Sequence, residues 1–101
     1  MSDKTILSIK NIVQETADTI TIHFAQPNPR LDYLPGQFLT LFAEIDGKEE
    51  RRAYSLCSSP YVDKDLSVTV KRVKDGKMSN HLNDNLNVED TMAVLPLFQL
   101  P

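Results

Sequence analysis

The stretch FLTLFAEIDGKEERRAYS, residues 38–55, predicts a β-hairpin and, through it, the class of the fold. Its first half, Phe38–Ile45, is apolar on both faces, as in a strand that is covered on each side. The dipeptide Asp46-Gly47 follows, and it is preferred in two-residue hairpin turns because both positions require positive φ. The second half, KEERRAYS, is then expected to return antiparallel to the first.

Period-two alternation of apolar and polar residues predicts further strands on both sides of this hairpin. The alternation is present at residues 7–10, 19–24 and 66–71, and a last short strand is predicted at Thr91–Leu95. Pro35-Gly36 is typical of a type II turn, which would lead the chain into the hairpin.

One segment departs from the β pattern. In MSNHLNDNL, residues 78–86, Leu82 and Leu86 stand four residues apart and Ser79 is a suitable N-cap, which predicts one short helix. About six strands and one helix, without repeats, predict an all-β fold: a six-stranded antiparallel Greek-key barrel with one short helix. Neither a GxGxxG motif nor βαβ alternation occurs, which excludes a Rossmann unit.

The length and composition are those of one globular domain. The chain has 101 residues, of which 41% are hydrophobic and 25% charged, which suits a single compact domain over residues 1–101. The sequence has no apolar run of membrane-spanning length and no signal peptide, so we expect a cytoplasmic protein without a membrane partner. One cysteine and two histidines argue against a disulfide or a metal site.

Positive charge is concentrated in the middle of an acidic chain. The net charge is −3, which argues against nucleic-acid binding. Between Lys48 and Lys77 lie eight of the eleven basic residues and five of the fourteen acidic residues, so this segment carries +3 and the remainder −6. A local anionic partner, such as a small phosphate ligand, would explain this distribution. Lysines on solvated strand faces would explain it equally well.

Two groups of residues in this basic segment could carry chemistry. Arg52 and Tyr54 are two apart in a predicted strand, so they should project from one face and suit a ligand with an anionic portion and a planar ring. Farther along, Gly76 permits close approach of the backbone or a positive φ, and Ser79 would open a helix whose N–H groups attract an anion. Each group alone is also what an edge strand, or an ordinary turn and N-cap, would contain.

Together these residues resemble a known family, the FAD-binding barrel of the ferredoxin–NADP⁺ reductase superfamily. The likeness covers nearly the whole chain and rests on four segments in the family's order: Pro35-Gly36-Gln37-Phe38, Arg52-Ala53-Tyr54-Ser55-Leu56-Cys57-Ser58, Val70-Lys71-Arg72-Val73 and Gly76-Lys77-Met78-Ser79. The pattern RxYSxxS is the most specific of them. The segment EERRAYSLCSSP looks most similar to the reductase components of oxygenases of the phenylacetyl-CoA type.

The resemblance implies a role for each matching residue. Arg52 would hold the FAD pyrophosphate, Tyr54 would stack on the flavin or its ribityl chain, and Ser55, the implied catalytic residue, would hydrogen-bond near flavin N5. Gly76-Lys77-Met78-Ser79 would close over the pyrophosphate, which favours FAD over FMN. Cys57, at a variable position of the motif, is interpreted as a small buried filler. The other implied cofactor-binding residues are Ala53, Thr69, Val70, Lys71 and Val73, the last four largely through backbone groups.

The resemblance also implies what residues 1–101 lack. Members of the family continue into an α/β domain that binds NAD(P)H, and no glycine-rich nucleotide turn occurs here. We therefore expect the chain to hold FAD only, as part of an oxidoreductase that passes electrons between NAD(P)H and an iron–sulfur or other one-electron acceptor. Both the NAD(P)H domain and the iron–sulfur carrier would be supplied from outside, since one cysteine cannot hold a cluster, and the chain alone should not turn over NAD(P)H.

Two other functions remain open at this level. A non-catalytic β-barrel interaction module could keep the scaffold without FAD. An oligonucleotide-binding barrel is a weaker alternative, given the negative charge and the few aromatic residues. The likeness is also incomplete near the C-terminus, where Glu89-Asp90 replaces the family's usual Gly-Asp and Leu97 follows Pro96 where a glycine is usual, so no contact of the last loop is implied.

Overall fold

Among the residues that the structure describes, the segments with strand patterns form six strands, and the segment with helical spacing forms one helix. The computed structural model describes residues 4–97, with side chains described as far as Leu95. Within these residues, no helix is long and apolar enough to cross a membrane. In chain order the elements are β1 (Thr5–Thr16), β2 (Thr19–Phe24), β3 (Phe38–Ile45), β4 (Lys48–Ser55), β5 (Leu66–Lys71), α1 (Lys77–Asn85) and β6 (Thr91–Leu97).

The strands form one antiparallel sheet with the order β4-β3-β6-β1-β2-β5. The hairpins β1–β2 and β3–β4 are consecutive in the chain, whereas β6 returns after the helix to lie between β1 and β3. The two outer strands approach each other where Leu56, just beyond β4, pairs with Val68 of β5. The sheet is thereby curled into a half-barrel, and the predicted antiparallel Greek-key barrel with one helix is confirmed.

The core lies on the concave side of the curled sheet. α1 packs over the open side and adds Met78 and Leu82, each 1% exposed. Burial of a side chain of this size stabilises the fold by roughly 1.5–3 kcal/mol relative to exposure. The strands contribute every second residue to the same core: Leu7, Ile9, Ile20, Ile22, Phe24, Leu39, Leu41, Leu66, Val68, Val70, Met92 and Val94.

Two turns adopt the conformations that their residues predict. Asp46 and Gly47 have φ values of 53° and 79°, as a two-residue hairpin turn requires. Gly36 has a φ of 79°, and the N–H of Gln37 donates to the C=O of Leu34 at 3.1 Å. Both predicted turns are confirmed, and they fix where β3 begins and where it reverses into β4.

Two predictions about single residues are wrong. The N-cap of α1 is Gly76 and not Ser79, because the Ser79 side chain is buried against the preceding loop and lies inside the first helical turn. Cys57 is exposed and not a buried filler. Leu56 occupies the inward position in the bridge to Val68, so the residue after it faces outward.

Candidate functional site

The inner face of β4 carries Glu50, Arg52 and Tyr54 in alternation. In the β3–β4 ladder Arg52 pairs with Leu41 and Tyr54 pairs with Leu39. Directly paired residues in an antiparallel ladder have their side chains on the same face, and both leucines are buried in the core. Arg52 and Tyr54 therefore project toward the concave side of the sheet, and the prediction that they share a face is confirmed.

A cavity of about 260 Å³ lies between this edge of the sheet and the beginning of α1. Two segments that are distant in the chain form its wall: the end of β4, and the loop that runs from β5 into the helix. All of its lining residues are among those that the sequence resemblance assigns to a cofactor. They are Arg52, Ala53, Tyr54, Val73, Gly76, Lys77, Met78 and Ser79.

The guanidinium of Arg52 is held along its own strand. Its Nη1 donates to the C=O of Arg51 at 2.6 Å and lies 3.7 Å from Oε1 of Glu50. The arginine side chain is 53% exposed and the glutamate side chain 19%, and a 3.7 Å pair with its cation in solvent contributes little to stability. The guanidinium is therefore free to exchange this carboxylate for an anionic ligand, to which it can offer a fork of donors.

Tyr54 presents a half-buried ring beside this cation. Burial raises the pKa of its phenol above the ordinary value of 10.0, and the charge of Arg52 opposes that rise. The phenol therefore stays neutral at physiological pH. The site combines a flat, uncharged ring surface with a guanidinium on the same face of one strand.

Gly76 is required for space and not for its backbone conformation. Its φ is −77°, which any residue can adopt. A Cβ at this position would lie 2.7 Å from Oγ of Ser79 and 3.0 Å from both Cβ and O of Val73. The loop thus packs closely against the first turn of α1 because residue 76 has no side chain. The positive φ in this loop belongs to Asp75, at 62°.

α1 begins at the cavity wall. The first N–H groups of a helix have no acceptor within the helix, and in α1 these belong to Lys77, Met78 and Ser79, since the N–H of Asn80 already donates to Gly76 O at 3.2 Å. The first turn contains no acidic residue. The positive end of the helix dipole and the Lys77 ammonium therefore favour an anion at this wall.

Side chains of the helix fasten the loop that precedes it. Oγ of Ser79 accepts the N–H of Val73 at 2.9 Å, so this hydroxyl is engaged within the fold. Nδ2 of Asn80 donates to the C=O groups of Val73 and Gly76 at 3.0 and 2.7 Å. Sequence reasoning missed Asn80. An asparagine in the first turn of a predicted helix, where its amide can reach the preceding loop, is the signal that could have indicated it.

The remaining residues of the predicted site lie outside this cavity. Ser55 ends β4 and faces away from Tyr54. Thr69, Val70 and Lys71 lie on β5, where the side chain of Val70 is fully buried and the other two are exposed on the outer face. The structure therefore brings together the guanidinium, the ring and the helix end, and leaves Ser55 and β5 on adjoining surfaces.

The residues that form this cavity lie within a segment that matches a known protein family. Residues 4–95 match the family described as the oxidoreductase FAD-binding domain. The chain belongs to this family. Its cofactor is FAD, and the chemistry of the cavity fits that ligand: the donors of Arg52 and of the first turn of α1 suit a pyrophosphate, and the Tyr54 ring suits a planar flavin.

Three known proteins illustrate the relationship. The FAD-binding domain is 48% identical over 99 residues to the ferredoxin reductase component of 3-ketosteroid-9-alpha-monooxygenase from Rhodococcus rhodochrous, covering 94% of this chain and 28% of that protein. It is 38% identical over 92 residues to one of the subunits of 1,2-phenylacetyl-CoA epoxidase from Escherichia coli (strain K12), covering 88% of this chain and 26% of that protein. The predicted similarity to oxygenase components is confirmed.

The third is a solved structure with the same fold. A ferredoxin NADP⁺ reductase from Neisseria gonorrhoeae with bound FAD and NADP superposes with a TM-score of 0.79 and 24% identity, covering 93% of this chain and 37% of that one. The chain spans only about a quarter of the length of the two curated relatives, 28% and 26%. The activity of a whole reductase is therefore a proposal for this chain.

Proposed function

We propose that this FAD-binding domain is the flavin-holding part of a reductase that takes electrons from NAD(P)H and passes them to an iron–sulfur protein or another one-electron acceptor. The observation that carries the proposal is the cavity in which the Arg52 guanidinium, the Tyr54 ring and the beginning of α1 meet. One relative is the ferredoxin reductase component of a monooxygenase, which supports an iron–sulfur acceptor. The flavin would supply the redox chemistry, since it can exchange electrons in pairs or singly.

The proposed roles divide the cavity into an anion end and a ring end. Arg52 leaves its Glu50 partner to bind the pyrophosphate from the strand side. Lys77, Met78 and Ser79 bind it from the helix side, chiefly through their N–H groups, and Gly76 keeps the loop close enough for that approach. Tyr54 would stack on the flavin ring system or on the ribityl chain and would shield that part of the cofactor from water.

Other proposed contacts lie beside the cavity. Ser55 is proposed as the catalytic residue, because its exposed hydroxyl follows the stacking residue directly and can donate to a ring nitrogen at the end of β4. Ala53, Thr69, Val70, Lys71 and Val73 are proposed to line the remainder of the cofactor, with Val70 able to contribute only its backbone. These assignments rest on the matching motif positions.

The nicotinamide site and the iron–sulfur carrier are proposed to lie outside residues 1–101. Residues 1–101 would then form one FAD-binding domain without NAD(P)H-dependent turnover of its own. The cytoplasmic location predicted from the sequence stays a prediction.

A flavin-binding measurement tests the proposal. The purified chain is incubated with FAD, separated from free ligand by gel filtration and examined for visible flavin absorbance, with circular dichroism to establish that it is folded. We expect FAD to be retained more tightly than FMN, and added NADH to leave the bound flavin oxidised. A folded chain that retains no flavin would overturn the proposal and favour an interaction module.

A further inference from the structure

The loop of residues 72–76 forms one wall of the cavity, yet it belongs to neither a strand nor the helix. It includes a non-glycine residue with positive φ, Asp75, and it contributes Val73 and Gly76 to the cavity. A segment of this kind holds one position only if other groups fix it. Asn80, which does not line the cavity, supplies several of these fixing bonds through its side chain.

Asn80 uses both ends of its amide for this purpose. Its Nδ2 donates to the C=O of Val73 at 3.0 Å and to that of Gly76 at 2.7 Å, which are the two loop residues at the cavity wall. Its Oδ1 accepts from Nη1 of Arg72 at 3.1 Å. One half-buried side chain therefore ties the loop at three of its five positions.

Arg72 connects this asparagine to the rest of the fold. Its Nη2 donates to Oδ1 of Asp84 at 2.5 Å, one turn farther along α1. Its backbone N–H donates to the C=O of Asp18, in the turn between β1 and β2, at 2.8 Å. Arg72, Asn80 and Asp84, here called the loop clamp, therefore fix the loop to both the sheet and the helix.

We propose that Asn80 is a positioning residue for the FAD pyrophosphate. The inference rests on the proposed function. It holds that Asn80 affects pyrophosphate binding without touching the ligand. By fixing Val73 and Gly76, it holds the first turn of α1 in the position from which the N–H groups of residues 77–79 reach an anion. Donors that are already in place cost less to order when a ligand binds, so the loop clamp raises the affinity for phosphate-bearing flavins.

The test compares two substitutions at this position with a matched control. Asn80→Ala removes all three bonds. Asn80→Asp keeps the shape and the acceptor for Arg72 but cannot donate to the two carbonyl groups. Asn85→Ala removes an asparagine of the same helix whose amide hydrogen-bonds to His81 at the helix surface. Dissociation constants for FAD and for riboflavin, which has no phosphate, are measured on each folded variant.

We expect Asn80→Ala to lose about tenfold in FAD affinity, as for the loss of one or two hydrogen bonds. Asn80→Asp should lose at least as much, because its carboxylate also opposes an anion at the helix start, while riboflavin affinity and the Asn85 variant stay near wild type. Unchanged FAD affinity in Asn80→Ala, or an equal loss for FAD and riboflavin, would overturn the proposal. An equal loss would indicate a general structural role.

A second readout does not depend on FAD. Amide hydrogen exchange at Val73 and Gly76 in the ligand-free chain should be faster in both Asn80 variants than in Asn85→Ala. Unchanged exchange would overturn the loop clamp itself. If wild type binds no FAD, the proposed function fails, and this exchange measurement still decides whether Asn80 fixes the loop.

Discussion

Arg52 and Tyr54 lie on the same face of β4 and line the same cavity, and the charge of the first acts on the ionisation of the second. Burial raises the pKa of Tyr54, and Arg52 lowers it. Arg52→Ala should therefore raise the pKa of Tyr54 further. The tyrosinate absorbance of the ligand-free chain, titrated with base, measures this, and Tyr54→Phe identifies the transition.

The raised pKa of Tyr54 also determines how its contribution to the stability of the fold changes with pH. A phenol with a raised pKa stabilises the fold fully below its ordinary value of 10.0 and loses that contribution as pH rises through the raised pKa. Arg51→Ala is the matched control, because Arg51 pairs with Phe42 and faces the other side of the strand. A Tyr54 pKa that does not rise in Arg52→Ala would mean that the guanidinium does not act on the phenol.

Removal of the Arg52 guanidinium should weaken FAD more than FMN. A hydrogen bond to a charged group contributes about 1.5–3 kcal/mol, so Arg52→Ala should lose about 10- to 150-fold in FAD affinity. FMN, with one phosphate, should lose less. Fluorescence titrations with both flavins measure the ratio, with Arg51→Ala as the control. An equal loss for the two flavins would contradict the assignment of Arg52 to the pyrophosphate.

Glu50 should compete with FAD for the same guanidinium. Its carboxylate lies 3.7 Å from Nη1 of Arg52 and would repel a phosphate there. Glu50→Gln should therefore tighten FAD binding by a modest factor, about two- to fivefold, as suits a weak ion pair whose cation lies in solvent. Glu49→Gln, whose carboxylate pairs with Lys4 instead, should have no such effect. Weaker FAD binding in Glu50→Gln would show that Glu50 orients Arg52 and does not compete for it.

Replacement of Gly76 by alanine should destabilise the fold. Gly76→Ala places a Cβ 2.7 Å from Oγ of Ser79, and such overpacking costs about 1–3 kcal/mol. Because the loop must move, FAD affinity should fall together with the free energy of unfolding.

Gly47→Ala is the informative control for that change. Gly47 has a φ of 79° and nothing within 4 Å of a new Cβ, so alanine there strains only the backbone, by about 1–2 kcal/mol. Chemical denaturation and FAD titration should then show a stability loss in both variants and an affinity loss in Gly76→Ala alone. An equal loss of FAD affinity in both variants would mean that Gly76 has no specific role in the cofactor site.

The sequence predicted those features that depend on local pattern. Alternation identifies strands because it reports which face is buried, and Asp46-Gly47 identifies a turn because few residues adopt positive φ. The expectation that β4 lies close to the start of α1 came from the family resemblance. No local pattern encodes a contact between segments that are distant in the chain. Ser79 looked like an N-cap by residue type, and only packing against Val73 shows that its hydroxyl faces the loop.

The second serine of the RxYSxxS pattern is a further example of a role that no local pattern reveals. Ser58 is buried, its Oγ lies 2.8 Å from the hydroxyl of Tyr33, and it accepts the N–H of Ser67 at 3.1 Å. Tyr33 precedes it by 25 residues, so the bond is visible only in the folded chain. These contacts tie the segment after β4 to the start of β5 and to the loop before β3.

Ser58→Ala should therefore affect stability and leave the site intact. It leaves the buried N–H of Ser67 without this acceptor, at a cost of about 1–3 kcal/mol, whereas Tyr33→Phe should cost less because the hydroxyl of Ser58 keeps the bond to Ser67. Denaturation of both single variants and the double variant gives the coupling energy between the two hydroxyls. Ser59→Ala, which removes an exposed bond from the N–H of Tyr61, is the control. The FAD affinity of the folded Ser58 variant should stay near wild type. A loss of FAD affinity without a loss of stability would instead indicate that Ser58 is part of the cofactor site.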